Sequence, residues 1–105
     1  MVLRFVLCVF VLFSATSAYA EEPAALVPLG KKVFVEQGCY GCHTVGGSGT
    51  PIAQDLSRVG SKYSGSYLQR WLGDPSAQKP TAHMPKIALT EAEVRALAAY
   101  LESLQ

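Results

Sequence analysis

The chain has 105 residues, 50% of them hydrophobic, with nine Lys and Arg against eight Asp and Glu. That length holds one domain. A near-neutral balance without a basic run lacks the phosphate attraction on which nucleic-acid binding rests, so nucleic acid is not an expected partner. The apolar excess is concentrated in Met1 to Phe13.

Arg4 opens that segment, Phe5 to Phe13 is an unbroken apolar run, and Ser14 to Ala20 turns small and ends in Ala18-Tyr19-Ala20. These are the charged, apolar and small-residue parts of a secretory signal. A spanning helix needs roughly 20 apolar residues, which this run does not reach. The reading is a signal peptide over 1–20, cleaved after Ala20 and leaving no membrane span, with an uncleaved anchor as the alternative. The remaining domain is 21–105, exported, and periplasmic in a bacterium. Loss of Arg4 brings the nine basic residues level with the eight acidic ones. So short a domain often adds a disulfide, metal or cofactor to its core. Of the three cysteines, Cys8 leaves with the signal, and Cys39 and Cys42 share one motif.

Glu21 to Pro28, with two prolines, reads as a lead-in. The spacing of Leu29, Val33 and Phe34 predicts a helix over Gly30 to Gln37, ended by Gly38. Val45 to Gln54, with Gly46-Gly47-Ser48-Gly49 and Thr50-Pro51, reads as a loop without a strand. Tyr67, Leu68, Trp71 and Leu72 predict a second helix over Tyr63 to Leu72, stopped by Gly73-Asp74-Pro75. Pro75, Pro80 and Pro85 predict an irregular stretch as far as Leu89. Thr90 and Glu93 form a capping box ahead of a last helix carrying the stripe Val94, Leu97, Ala98, Leu101 and Leu104. The class is all-α, three to four helices.

Cys39-Tyr40-Gly41-Cys42-His43 is C-x-x-C-H behind a secretory signal, the attachment pattern of haem c. Two thiols at this spacing on a tight turn reach the two vinyl groups of one porphyrin edge as thioethers, and His43 is then held under the iron. The competing readings are a thiol-exchange or structural disulfide pair and a zinc site. Thiol exchange belongs to strand-rich folds, a disulfide has no need of His43, and zinc would need four ligands, for which only His83 and scattered carboxylates are available beside Cys39, Cys42 and His43.

Gly30 to Phe34 leading into that motif, Tyr67-Leu68-Gln69-Arg70-Trp71-Leu72-Gly73-Asp74-Pro75, Met84-Pro85, and Ala99-Tyr100-Leu101 in the last helix together resemble a class I monohaem cytochrome c. The likeness covers nearly all of Gly30 to Leu104. It implies one covalently bound haem c, His and Met axial ligands, first and last helices crossing, and one-electron transfer between redox proteins, with no reaction catalysed on a substrate. Cys39, Cys42, His43 and Met84 are the cofactor-binding residues on this reading, and His43 and Met84 hold the metal. Met84 is the one methionine left after cleavage; its alternative role is a core gap-filler. Pro85 extends the backbone at Met84, so His83 and Met84 point opposite ways. Met84 is assigned inward and His83 outward, with bis-histidine ligation through His83 as the alternative.

The resemblance also implies a loop carbonyl orienting His43, and Pro51 is the candidate here because Gln54, not proline, precedes Asp55-Leu56. Trp71 and Arg58 are candidates for a haem propionate, against plain core and plain surface. Phe34, Leu97 and Tyr100 are expected at the helix crossing. Lys79, His83 and Lys86 flank the Met84 loop either as a docking face or as solvated charges. Two other functions stay open: a dedicated cytochrome c subunit of a larger periplasmic or membrane-bound oxidoreductase, and a haem enzyme or gas sensor with an open iron position.

Overall fold

In the computed structural model, residues 22–105 are described; the expected signal peptide over 1–20 lies outside them. Helix α1 runs Pro23–Glu36, α2 Gly65–Gly73, α3 Pro75–Gln78 and α4 Glu91–Glu102, with 3-10 turns at Cys39–Gly41 and Val59–Ser61. A two-stranded antiparallel ladder joins β1, Thr44–Val45, to β2, Ser48–Gly49. The described residues are thus mostly helical, as expected.

Helix α1 starts earlier than the proline content suggests. Pro23 occupies its first turn, where a missing N–H costs nothing and a fixed φ favours the helix. Pro28 lies inside the helix on its exposed side. It removes one hydrogen bond, while the Val27, Gly30, Val33 and Phe34 stripe holds the segment against the core. At the far end Gly38 takes φ 72°, the left-handed conformation that lets the chain leave the helix and enter the Cys39–Gly41 turn.

The α1–α4 crossing is the centre of the core, as the resemblance implies. A Cβ on Gly30 would collide with the Ala96 carbonyl, so only glycine permits this approach. Phe34 and Leu97 are among the largest fully buried side chains, and Phe34 meets Tyr100 edge-on at 5.5 Å. The Thr90–Glu93 capping box opens α4 with both of its reciprocal hydrogen bonds. The C-terminus is pinned to the second 3-10 turn by Gly60 N–H donating to the Leu104 carbonyl at 2.7 Å.

Two short elements correct the sequence reading. The Val45–Gln54 segment does contain strand, because Gly46 and Gly47, at φ 57° and 83°, make the two-residue turn that closes a hairpin. The proline-rich stretch contains α3, one turn begun by Pro75 and capped by Asp74, whose carboxylate accepts from Ala77 N–H. Helix α2 begins at Gly65 rather than Tyr63, with Ser64 as its N-cap.

Candidate functional site

The 3-10 turn after α1 carries both thiols. Cys39 opens the turn and is half-buried; Cys42 closes it and is exposed; both are free. Burial pushes the Cys39 thiol up, opposed by a smaller backbone hydrogen bond. Cys42 and His43 both donate their N–H groups to the Cys39 carbonyl, at 3.3 and 3.0 Å, so the backbone of the motif curls on itself. Tyr40, between the cysteines, sets its ring edge-on against Phe34 at 4.8 Å. That contact fastens the motif to the helix crossing, a role the sequence reading did not give it.

His43 Nδ1 donates to the Gln54 main-chain carbonyl at 2.6 Å. This corrects the expectation of Pro51, which is exposed three residues earlier. Gln54 is presented by a strap folded back over the motif. Thr50 N–H donates to the Tyr40 carbonyl at 2.9 Å, Ala53 N–H to the Cys42 carbonyl at 2.7 Å, and Leu56 N–H to the Thr44 carbonyl at 2.8 Å. Asp55 locks the strap to the hairpin by accepting from the hydroxyls of Ser57 at 2.8 Å and Thr44 at 2.9 Å. Those bonds, Ser57's first, hold its carboxyl below the usual carboxylate range. With Nδ1 committed, Nε2 is the imidazole nitrogen left to bind a metal.

Met84 lies half-buried against the core, and neighbouring His83 is exposed, the opposite orientations expected of extended backbone before a proline. The Trp71 indole N–H donates to Met84 Sδ at 3.1 Å. Of its two candidate roles, propionate donor and plain core, neither foresaw this bond. Arg58, Lys79 and Lys86 are exposed. Lys86 lies near enough to Asp74 to help lower its carboxyl, after the larger effect of the Ser76 hydroxyl.

Among the described residues no three His, Cys, Asp or Glu side chains gather as an all-protein metal site. A tied imidazole, two free thiols and one thioether have the chemistry that a covalently attached haem would need from the protein. Val45, Leu56, Met84 and Leu89 are partly buried apolar side chains packed against the core.

The cytochrome c family model matches residues 27–105. Cytochrome c oxidase subunit 2 of Alkalihalophilus pseudofirmus is 35% identical over 85% of this chain and 29% of its own length. A nitric oxide reductase subunit of Cereibacter sphaeroides is 30% identical over 84% of this chain and 63% of its own, and the corresponding subunit of Halomonas halodenitrificans is 27% identical over 89% and 75%. The chain therefore spans under two thirds of the first two relatives. No solved structure matches. The family match from residue 27, inside α1, through the C-x-x-C-H turn, the Met84 strap and α4 places the chain in the cytochrome c family, electron-transfer proteins that carry covalently bound haem c and its iron.

Proposed function

We propose that this chain is a one-electron carrier whose haem is bonded through Cys39 and Cys42 and ligated by His43 Nε2 and Met84 Sδ. The observation that carries the reading is the His43 Nδ1–H bond to the Gln54 carbonyl at 2.6 Å, which orients the ring and leaves Nε2 as its ligating nitrogen, in a motif whose two thiols are free. When bound, the haem supplies an iron that gains and loses one electron.

The protein's residues do the rest. Cys39 and Cys42 anchor the group, so the carrier keeps it through repeated cycles. The Gln54 strap fixes the imidazole through Nδ1, and Met84 Sδ would be the second protein ligand to the iron, which would leave small ligands and substrates no place on it. A thioether ligand raises the potential relative to nitrogen and suits a carrier. Residues 1–20 are assigned as a cleaved export signal and 21–105 as the exported domain, periplasmic in a bacterium. Among the described residues no helix is long and apolar enough to cross a membrane.

A second reading is favoured by the relatives, whose names are those of oxidase and nitric oxide reductase subunits: the same site serving as the haem subunit of a larger complex. Acid-acetone extraction tests the attachment. Haem colour should stay with the wild-type chain and be absent from the Cys39→Ala/Cys42→Ala variant; haem extracted from the wild type contradicts it. Gentle purification of the native protein separates the two readings, since a carrier runs alone and a subunit runs with stoichiometric partners.

A further inference from the structure

We propose that the outer side of α2, with Tyr63 just ahead of it, is a second electron port. A redox protein with an acidic docking surface seats against Tyr63 and passes its electron along a ladder of aromatic rings to the Met84 side of the site. The inference rests on Met84 being an axial ligand, as proposed above.

Tyr63, Tyr67 and Trp71 recur every four residues, so one side of the segment carries all three rings. Tyr63 stacks on Tyr67 with centroids 4.8 Å and planes 19° apart, and Tyr67 lies over Trp71 at 6.5 Å and 23°. Both separations are those of paired rings. The Trp71 indole then reaches Met84 Sδ at 3.1 Å, so contact is continuous from Tyr63 to the sulfur.

The ladder runs from solvent inward. Tyr63 is 38% exposed, Tyr67 and Trp71 are half-buried, and Met84 packs against the core. Leu68 and Leu72 are the side chains that bury α2 in that core, which leaves the tyrosines without a packing task of their own. An exposed tyrosine backed by a rigid stack is the kind of anchor that protein interfaces favour.

The charge beside it is positive. Lys62 precedes Tyr63, and Arg70 sits 5.9 Å from the Tyr67 ring centroid. Both are exposed, and among the described residues the ion pair is Lys32 with Glu36, which involves neither. Asp55 feels Lys62 least among the groups that lower its carboxyl. Two cations flanking an exposed ring match carboxylates around a partner's redox group. Because the acidic and basic residues of 21–105 balance, the match acts on contact and not at long range.

The step moves one electron and no atoms. The partner's reduced group loses it, the ring π systems convey it without being oxidised or reduced, and the iron gains it. A chain held in a larger complex takes and gives electrons without tumbling, which requires two faces. The Tyr63 face lies on a different element from the attachment turn, where Cys42 is exposed.

The experiment uses an acidic flavodoxin as the probe. Amide shifts of the isotope-labelled ferrous holoprotein map where the oxidised probe docks, and stopped flow follows reduction of the ferric holoprotein by the fully reduced probe, whose flavin loses one electron. The shifts should centre on residues 62–70. Tyr63→Leu should lower the second-order rate roughly tenfold, the worth of an interface tyrosine. Lys62→Gln, which leaves every ring in place, should lower it by a smaller factor, and Tyr63→Phe, which keeps the stack, should match the wild type. Shifts confined to the C-x-x-C-H turn and the Met84 strap overturn the inference alone, as does a wild-type rate in Lys62→Gln and in a folded Tyr63→Leu. A ferric wild type without the thioether signature in magnetic circular dichroism overturns the Met84 assignment and this inference with it.

Discussion

Gln54 contributes a main-chain carbonyl to His43, and a carbonyl has no side-chain signature, which is why the sequence pointed to Pro51 instead. Cys39, Cys42 and His43 stand out in the sequence because thioether attachment, the role proposed for this motif, demands particular side chains at fixed spacing. The Trp71–Met84 bond was not, because it depends on how a helix and an irregular strap meet in space. It follows that Gln54→Ala should leave the haem spectrum and potential unchanged, as the carbonyl survives any side-chain truncation; a shifted potential would place the function in the amide. Asp55 behaves differently. Its carboxyl is held below the usual range by Ser57 and Thr44, so its contribution to stability is complete above the ordinary carboxylate pKa and is lost as pH falls toward the lowered folded value. Denaturant unfolding of the holoprotein across that acid range should therefore fall less steeply for Asp55→Asn than for the wild type.

At the scale of elements, α4 and the end of α1 were legible because capping chemistry and 3.6-residue periodicity agreed with tertiary packing. Elsewhere the breaker residues misled. Pro28 does not end α1, since a buried stripe on the opposite side holds it, and Pro75 starts α3 rather than preventing it. Gly46-Gly47 carried the signature of a tight hairpin that flexible composition concealed. The α1–α4 crossing gives a sharp test. Gly30→Ala sets a methyl group against the Ala96 carbonyl and should cost about 1–3 kcal/mol or more by forcing the helices apart. Leu97→Ala at the same crossing should cost about 2–5 kcal/mol through the cavity it leaves. Chemical denaturation of the holoproteins measures both, and a neutral Gly30→Ala would mean that the helices cross less closely.

Taken whole, the molecule has a core of crossing helices too small to be generous and a site built on turns and straps around it. Covalent haem ties these together, so the Cys39→Ala/Cys42→Ala chain should lose most of its helical circular dichroism; a native spectrum would show that the core folds unaided. Long-range steering should be weak, because the acidic and basic residues of 21–105 balance and Lys86 is already partly offset by Asp74. Electron-transfer rates with protein partners should thus fall only modestly between low and physiological salt, and a steep fall would identify Lys79 and Lys86 as a docking patch.

The central claim, an iron closed on one side by His43 and on the other by Met84, is tested most directly by carbon monoxide binding to the ferrous holoprotein near neutral pH. A filled sixth position should make wild-type binding slow or undetectable. Met84→Ala should bind readily and show a lowered potential, while His83→Ala, altering an exposed ring, should behave as wild type. Rapid binding by the wild type would contradict the account, and loss of ligation in His83→Ala would move the sixth ligand from sulfur to imidazole.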